Sequence, residues 1–375
     1  MKFVIDDKIP FIQGVLEEKA DVIYLPGSEI SALDLVDADG LIIRTRTKCK
    51  EQLLQGSSVK FIATATIGFD HIDTEYCREA GIKWTNAPGC NADSVNQYMV
   101  SALTHWADVK KTCLEGKTIG ILGVGNVGSR VATSAETLGL KVMLNDPPRA
   151  REEGTEGFVE IDQILKEADI ISLHVPLNMS GPDKTYHLVD SAFLKKWKNP
   201  DLLINTCRGE VTHTETVNKA LKEGLIGDCI IDCWENEPEI NTHLLNNCLI
   251  GTPHIAGYSR DGKANGTAQC VQAISKYFDL EFKNWYPEKI DPPGISHIFL
   301  DGNGMNQEQV IHAAVQSTYA VSHDDQALKS CTKNFEKLRG DYPVRREFPA
   351  FTLTCSNIDT ITKNKLQQLG FNLTK

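Results

Sequence analysis

Arg208, Glu237 and His254 each come just after a short apolar run that reads as a buried strand. Arg208 follows Leu203-Ile-Asn-Thr-Cys, Glu237 follows Ile230–Asp232 and a Trp-Glu-Asn turn, and His254 follows Leu249-Ile-Gly-Thr-Pro. Parallel sheets bind ligands outside the carboxyl ends of their strands, so these side chains are candidates for one site. Their chemistries are complementary. An arginine grips a carboxylate in two prongs and polarises the neighbouring oxygen. A histidine takes a hydroxyl proton. A carboxylate orients the imidazole and stabilises its charged form. Together they suit oxidation of a 2-hydroxy acid by loss of hydride from C2. Each also has a plainer reading: Arg208-Gly209 as a surface turn, Glu237-Pro238 as loop punctuation, His254 as a strand cap.

The hydride needs an acceptor, and Gly120-Ile-Leu-Gly-Val-Gly-Asn-Val-Gly128 supplies the place for one. Lys117-Thr-Ile-Gly-Ile-Leu reads as a buried strand. Gly123, Gly125 and Gly128 open a helix running on through Arg130, Val131 and Leu138. Lys141-Val-Met-Leu-Asn is a second strand, ending at Asp146. Gly123 permits the tight turn, Gly125 lets backbone amides approach a pyrophosphate with Asn126 and Val127, and Gly128 lets helix and strand pack closely. The Asp146 carboxylate accepts from the adenosine ribose hydroxyls and repels a 2′-phosphate, so the expected cofactor is NAD rather than NADP.

These motifs sit in a chain of alternating strands and helices, the pattern of parallel α/β sheets. Phe3-Val-Ile-Asp-Asp, Gly40-Leu-Ile-Ile-Arg-Thr-Arg and Lys60-Phe-Ile-Ala-Thr-Ala are strands of a first segment. A helix with Val95, Met99, Ala102, Leu103 and Trp106 on one face bridges to the glycine motif. Ile170-Ile-Ser-Leu-His, Leu202-Leu-Ile-Asn-Thr, Gly227-Asp-Cys-Ile-Ile-Asp and Cys248-Leu-Ile-Gly continue a doubly wound sheet. A helix over about 261–282 could return the chain to the first segment, and a Pro-rich linker follows from Trp285. The tail reads as a helix near Gln307–Tyr319, a strand Phe351-Thr-Leu-Thr-Cys and a helix Thr360–Leu369.

Bulk properties narrow the function. A net charge of −11 argues against nucleic acid, which needs a basic face. No apolar run reaches membrane-spanning length, and Met-Lys-Phe-Val-Ile-Asp-Asp is not a signal peptide. The 11 cysteines are scattered, without a Cys-x-x-Cys pair, as expected of reduced thiols in a cytoplasm; no metal site is expected.

Ala63-Thr-Ala-Thr-Ile-Gly-Phe-Asp-His-Ile-Asp73, Gly123-Val-Gly-Asn-Val-Gly128, Asn205-Thr-Cys-Arg-Gly209 and Pro253-His-Ile-Ala-Gly257 resemble the D-2-hydroxyacid dehydrogenases over about residues 1–285. The resemblance implies a catalytic trio at Arg208, Glu237 and His254. It implies that Asp232 and Gly257 help hold the cofactor, that Val175 and the backbone of Thr206, Cys207 and Arg208 line its nicotinamide side, and that Thr45, Thr66 and Tyr258 touch substrate. Ala87-Pro-Gly-Cys-Asn-Ala92, Asp146-Pro-Pro-Arg-Ala150, Pro176–Leu188 and His254-Ile-Ala-Gly-Tyr-Ser259 resemble a branch of that family acting on a phosphorylated four-carbon acid. Tyr319, Asp324-Asp325, Phe335–Arg339 and Arg345-Arg-Glu347 resemble that branch's extra C-terminal domain, which serves in dimerisation. Thr45 departs from the serine common there, and Asn178 from the family's frequent threonine; neither removes a group the chemistry needs.

The expected fold is therefore α/β. A doubly wound parallel-sheet NAD-binding domain spans 93–257. A second, flavodoxin-like α/β substrate domain spans 1–92 plus 258–284, and a C-terminal α+β dimerisation domain spans 285–375. The expected reaction is NAD-dependent oxidation of a phosphorylated 2-hydroxy acid by a cytoplasmic homodimer, without nucleic-acid or membrane partners. Arg44 and Arg46, beside Thr45, are the proposed anchors for the phosphate, with Arg345 or Arg346 as possible additions from the tail. Two alternatives stay open: a 3-phosphoglycerate dehydrogenase on the same frame, and a dinucleotide-sensing scaffold resembling the corepressors.

Overall fold

The computed structural model describes residues 1–374, in two compact units. Met1–Asn91 and Ser259–Asp291 form one; Ala92–Tyr258 and the chain from Pro292 form the other.

The first unit is built on five parallel strands: β1 (Lys2–Asp6), β2 (Asp21–Leu25), β3 (Gly40–Ile43), β4 (Phe61–Thr64) and β5 (Lys83–Thr85). Their order is β2-β1-β3-β4-β5, the flavodoxin-like arrangement. The strand period of two divides the core. Val4, Leu41, Ile43 and Ile62 share one cluster, while Phe3, Ile5, Ile42 and Ala63 share another. The second cluster takes Cys270, Val271 and Ile274 from the helix Arg260–Tyr277, which returns to this sheet. β2 and β5 went unread in the sequence because they are edge strands whose residues are partly exposed, which breaks the continuous apolar run of a buried strand.

The second unit holds β6 (Thr118–Leu122), β7 (Lys141–Asn145), β8 (Ile170–Leu173), β9 (Leu202–Asn205), β10 (Asp228–Ile231) and β11 (Ile250–Gly251), all parallel, in the order β11-β10-β9-β8-β6-β7. The chain leaves β6 for β7 on one side and passes to β8 on the other. Between β6 and β8 is therefore the switch point where such sheets open a crevice.

The helix Ala92–Lys110 is buried almost all round, not on one stripe as its pattern suggested. One side packs on Ile119, Ile121, Ile170 and Leu202 of the sheet. The other is covered by Val310, Ile311, Ala314 and Val315 of the tail helix Gln307–Thr318. Each fully buried aliphatic of this kind contributes roughly 1.5–3 kcal/mol. The tail thus shares a core with the glycine-loop sheet. Its own three-stranded parallel sheet runs β12 (His297–Asp301), β13 (Thr352–Ser356) and β14 (Asn372–Leu373). No helix among the described residues is long and apolar enough to cross a membrane.

Candidate active site

The glycine loop leaves β6 at Gly123, whose φ of +86° is left-handed. A Cβ there would lie 2.6 Å from the His174 carbonyl oxygen, so the loop lies directly against the end of β8. A Cβ on Gly128 would lie 2.0 Å from the Gly123 carbonyl oxygen, so the helix Asn126–Thr137 is drawn onto the loop backbone. Gly125 is different: nothing lies within 4 Å of its would-be Cβ, and it stands at the N-cap with no side-chain cap. The first amides of that helix, at Asn126, Val127 and Gly128, are thus left to an outside acceptor, and the macrodipole favours an anion there. Asp146 closes the loop: its Oδ2 accepts from the Val124 amide at 2.8 Å and its Oδ1 from the Arg149 amide at 3.2 Å. On the opposite rim, Thr206 Oγ1 is buried without a partner. An open glycine cradle, uncapped amides, a ribose-side carboxylate and an orphaned hydroxyl fit a dinucleotide.

Glu237 and His254 meet. His254 Nδ1 lies 3.0 Å from Glu237 Oε1 and 2.8 Å from Oε2. Burial pushes the Glu237 carboxyl up, but the His254 hydrogen bond and charge, the Trp234 amide and the nearby Arg339 guanidinium outweigh it, and the net shift is downward. The carboxylate therefore stays ionised and accepts a hydrogen bond from Nδ1–H, the tautomer that leaves Nε2 as the acceptor.

Three loops are stitched together around this pair. Glu237 Oε1 accepts from the Trp234 amide at 2.9 Å, and Trp234 Nε1 donates to the Thr252 carbonyl at 2.8 Å. The turn after Arg208 packs backbone to backbone on the same segment, since a Cβ on Gly209 would lie 1.9 Å from the Trp234 carbonyl carbon. Asp232, at the end of β10, accepts from the Thr252 hydroxyl at 2.6 Å and from the Ile255 and Ala256 amides at 2.8 and 3.0 Å. Burial holds its carboxyl above the usual range, against those bonds and the His254 charge. His254 itself sits at φ +55°, left-handed backbone that a non-glycine residue keeps only when its surroundings over-determine it.

Arg208 precedes the short 3-10 turn Gly209–Val211, and its Nη1 donates to the Cys207 carbonyl at 2.8 Å. Cys207 is a poor nucleophile: burial pushes its thiol up to about 11. Cys233 brings its sulfur within 4.8 Å of the Glu237 and His254 ligand atoms, but burial, Asp232 and Glu237 hold it as a thiol. Val175 packs partly buried against the core beside β8. After Gly257, the half-buried Tyr258 donates its amide to the Ile255 carbonyl at 2.8 Å, and its ring meets Tyr342 edge-on at 5.8 Å.

Arg44, Thr45, Arg46 and Thr66 belong to the first unit. Thr45 and Arg46 lie exposed in the turn after β3. Arg44 does not stand as a lone cation there: its Nε meets Asp6, whose side chain is fully buried, at 3.3 Å. Thr66 donates to the Gly68 carbonyl at 2.8 Å and meets Thr64 Oγ1 at 2.8 Å, which in turn meets His71 Nε2 at 2.9 Å. Arg345 is buried on main-chain carbonyls, so its guanidinium is not aimed at a substrate phosphate.

Three groups in the site were not read from the sequence, Asn205, Thr252 and Arg339, while Arg345 was weighed only as a phosphate anchor. Asn205 and Thr252 sit inside motifs that were recognised, at strand ends, where a polar side chain was the available signal. Arg339 reaches the Tyr258 ring, its guanidinium carbon 5.8 Å from the centroid, from a helix far along the chain, and no local pattern announces it.

Residues 92–256 match the D-isomer specific 2-hydroxyacid dehydrogenase NAD-binding domain, and residues 290–370 match a domain of unknown function (DUF3410). A relative named erythronate-4-phosphate dehydrogenase from Bacteroides thetaiotaomicron is 49% identical over 94% of this chain and 99% of its own. Another of that name from Shigella flexneri is 39% identical over 99% of this chain and 98% of its own. Among solved structures, a D-lactate dehydrogenase from Aquifex aeolicus complexed with NAD and lactic acid is similar, with a TM-score of 0.61 and 27% identity over 78% of this chain and 100% of that one. A 3-phosphoglycerate dehydrogenase from Entamoeba histolytica with bound NAD+ gives 0.64 and 26% over 78% of this chain and 99% of that one.

Proposed function

The chain belongs to the erythronate-4-phosphate dehydrogenases, NAD-dependent members of the D-2-hydroxyacid dehydrogenases, and on that premise we propose that it oxidises 4-phospho-D-erythronate at C2 to (R)-3-hydroxy-2-oxo-4-phosphooxybutanoate, a step of pyridoxal 5′-phosphate (vitamin B6) synthesis. The observation that carries the chemistry is the two-oxygen hold of Glu237 on His254 beside an NAD-binding sheet. Arg208 grips the substrate carboxylate and polarises the C2 oxygen. His254 Nε2 takes the hydroxyl proton, and Glu237 stabilises the imidazolium that results. NAD, when bound, supplies the hydride acceptor. Gly123, Gly125, Asn126, Val127 and Gly128 receive its pyrophosphate and Asp146 its ribose. Asp232 and Gly257 help hold it, and Val175 with the backbone of Thr206, Cys207 and Arg208 lines its nicotinamide side. Thr45, Thr66 and Tyr258 contact substrate, and Arg44 and Arg46 hold its phosphate.

The shorter acid of a 3-phosphoglycerate dehydrogenase is disfavoured by the tail. The Entamoeba structure covers 78% of this chain, whereas the erythronate-4-phosphate relatives cover 94–99% of it. The test is NADH formation with phosphoerythronate, phosphoglycerate and the unphosphorylated acids, with and without an added 2-oxo acid acceptor. Turnover on phosphoerythronate, lost in His254→Asn, is expected; preference for phosphoglycerate or no turnover at all overturns the reading.

The protein acts as a homodimer through its C-terminal domain. The support is one face of β12, where Phe299 is 80% exposed between His297 and Asp301, with Ile295 also exposed nearby in the chain. A large aromatic ring left in water on a sheet face suits a partner surface. Eleven cysteines, most of them buried as core residues, support a reducing cytoplasm.

A further inference from the structure

We propose that Arg345, from the C-terminal domain, is a positioning residue for His254. The inference rests on the reading of His254 as the base. The peptide units after His254 are held from two sides by opposite charges. On the amide side, Asp232 takes the Ile255 and Ala256 N–H groups at 2.8 and 3.0 Å, and its own carbonyl takes the His254 N–H at 2.9 Å. On the carbonyl side, Arg345 Nη1 donates to Ile255 at 3.4 Å, and Nη2 donates to Ala256 at 2.5 Å and to Ser94 at 3.3 Å. The same two residues thus have their donors fixed by a carboxylate and their acceptors fixed by a guanidinium.

Arg345 is itself immobilised. Its side chain is 5% exposed and its guanidinium carbon sits 4.4 Å from the Tyr319 ring centroid, a cation–π stack. Tyr319 and Tyr342 each donate their hydroxyl to Asp324, at 2.8 and 2.7 Å, so the rings beside the cation are locked by one carboxylate. The Ser94 contact ties the arrangement to the long helix under the sheet. A buried cation is costly unless it is bonded; both Nη atoms of Arg345 bond main-chain carbonyls, while its Nε is buried without a partner. His254 has left-handed backbone, so the loop does not hold this shape by local preference. The planar fork of arginine reaches two carbonyls at once, which a lysine ammonium on one stem does not reproduce.

The proposal predicts a kcat effect without a cofactor-binding effect. Arg345→Met is expected to lower kcat for hydroxy-acid oxidation by about 10- to 100-fold, the scale of a misplacement near 1 Å. Its NADH dissociation constant should stay within about threefold of the parent, and Arg345→Lys should fall between the two. A folded Arg345→Met enzyme that has lost thermal stability but keeps the parent kcat per folded molecule overturns the proposal. Should that variant not fold, Tyr319→Leu keeps the buried charge and removes its stacking partner. A lower kcat with unchanged NADH affinity supports the proposal, and an unchanged kcat overturns it. Parallel measurement of His254→Asn separates the two ideas: activity surviving there means the base was misassigned, whereas activity lost there but intact in the Arg345 variants defeats the brace alone.

Discussion

Asn205 carries the Arg208 turn on its carboxamide: Nδ2 donates to the Arg208 carbonyl at 2.9 Å, while Oδ1 accepts the Cys207 amide at 3.1 Å. Asn205 closes β9 and is fully buried, so both ends of one rigid side chain set the direction of the loop that presents the guanidinium. Asn205→Asp keeps the shape and the acceptor but loses the donor. The Arg208 carbonyl keeps the Val211 amide at 3.2 Å but loses its side-chain donor, which costs about 0.5–1.5 kcal/mol. The expected result is a lower melting temperature together with a raised KM for the hydroxy acid, and steady-state kinetics with thermal unfolding check both.

Glu237→Gln should retain the Nδ1 contact and lose the charge that stabilises imidazolium. We expect kcat to fall by roughly 10²–10⁴ with NADH affinity unchanged, by analogy with other carboxylate–histidine pairs. The pH dependence follows from the downward shift of Glu237. A carboxylate whose folded pKa is depressed contributes stability that is present above its ordinary value of 4.5 and is lost as pH falls through the lower folded value. The parent protein should therefore lose stability on that acid limb more steeply than the Gln variant, as unfolding at a series of acid pH values would reveal.

The glycine loop, Asp146, the strand ends bearing Arg208, Glu237 and His254, and the tail elements Gln307–Thr318 and Thr360–Gln368 were legible in the sequence because each is a local signal. A turn residue, a strand period or a helical face lies within a window of about ten residues. What stayed hidden depends on distant chain. β12 pairs with β13, more than fifty residues on, and its apolar run is only the three residues Ile298-Phe299-Leu300. Arg345, in an Arg-Arg-Glu run, suggested a phosphate anchor, and only the packed core turns it into a ligand of the Ile255 and Ala256 carbonyls. Arg44 illustrates the reverse. Its placement beside Thr45 suggested a free cation, and the buried Asp6 across β1 and β3 is what it meets.

Gly125 and Gly128 separate cofactor binding from folding. With nothing near its would-be Cβ and φ at −76°, Gly125 accepts alanine without strain, so Gly125→Ala should keep the parent melting temperature. The methyl would occupy the space a pyrophosphate approaches, and NAD affinity should fall by about tenfold or more. In Gly128→Ala the methyl would meet the Gly123 carbonyl at 2.0 Å, which forces helix and loop apart. That variant should lose at least about 2 kcal/mol of stability as well as NAD affinity. Equal stability losses in the two variants would contradict the assignment.

His71 gives the first unit a pH limb of its own. Burial, with Lys48 adding to it and Asp70 opposing, pulls the imidazole down to about 4 from an ordinary 6.5. A histidine whose folded pKa is depressed refuses a proton that the unfolded chain accepts. Stability is then full above about 6.5 and declines as pH falls from there toward about 4. The slope contributed is at most about 1.4 kcal/mol per pH unit. His71→Gln should flatten the stability profile in that window, although at neutral pH it loses whatever the Thr64 contact contributes.

Arg44 and Arg46 should part company when each is replaced. Removing Arg44 leaves the buried Asp6 carboxylate with the Lys8 amide but without the guanidinium, and because that guanidinium is itself about a third exposed the cost is about 1–3 kcal/mol. Arg44→Ala is therefore expected to lower the melting temperature by several degrees as well as to change KM. Arg46 is exposed in the same turn, so Arg46→Ala should leave the fold intact. If it meets the substrate phosphate, the variant raises KM for phosphoerythronate by about tenfold or more while KM for unphosphorylated erythronate barely changes, because a charge-assisted bond to phosphate is worth about 1.5–3 kcal/mol. Equal changes for the two acids would take the phosphate away from this turn.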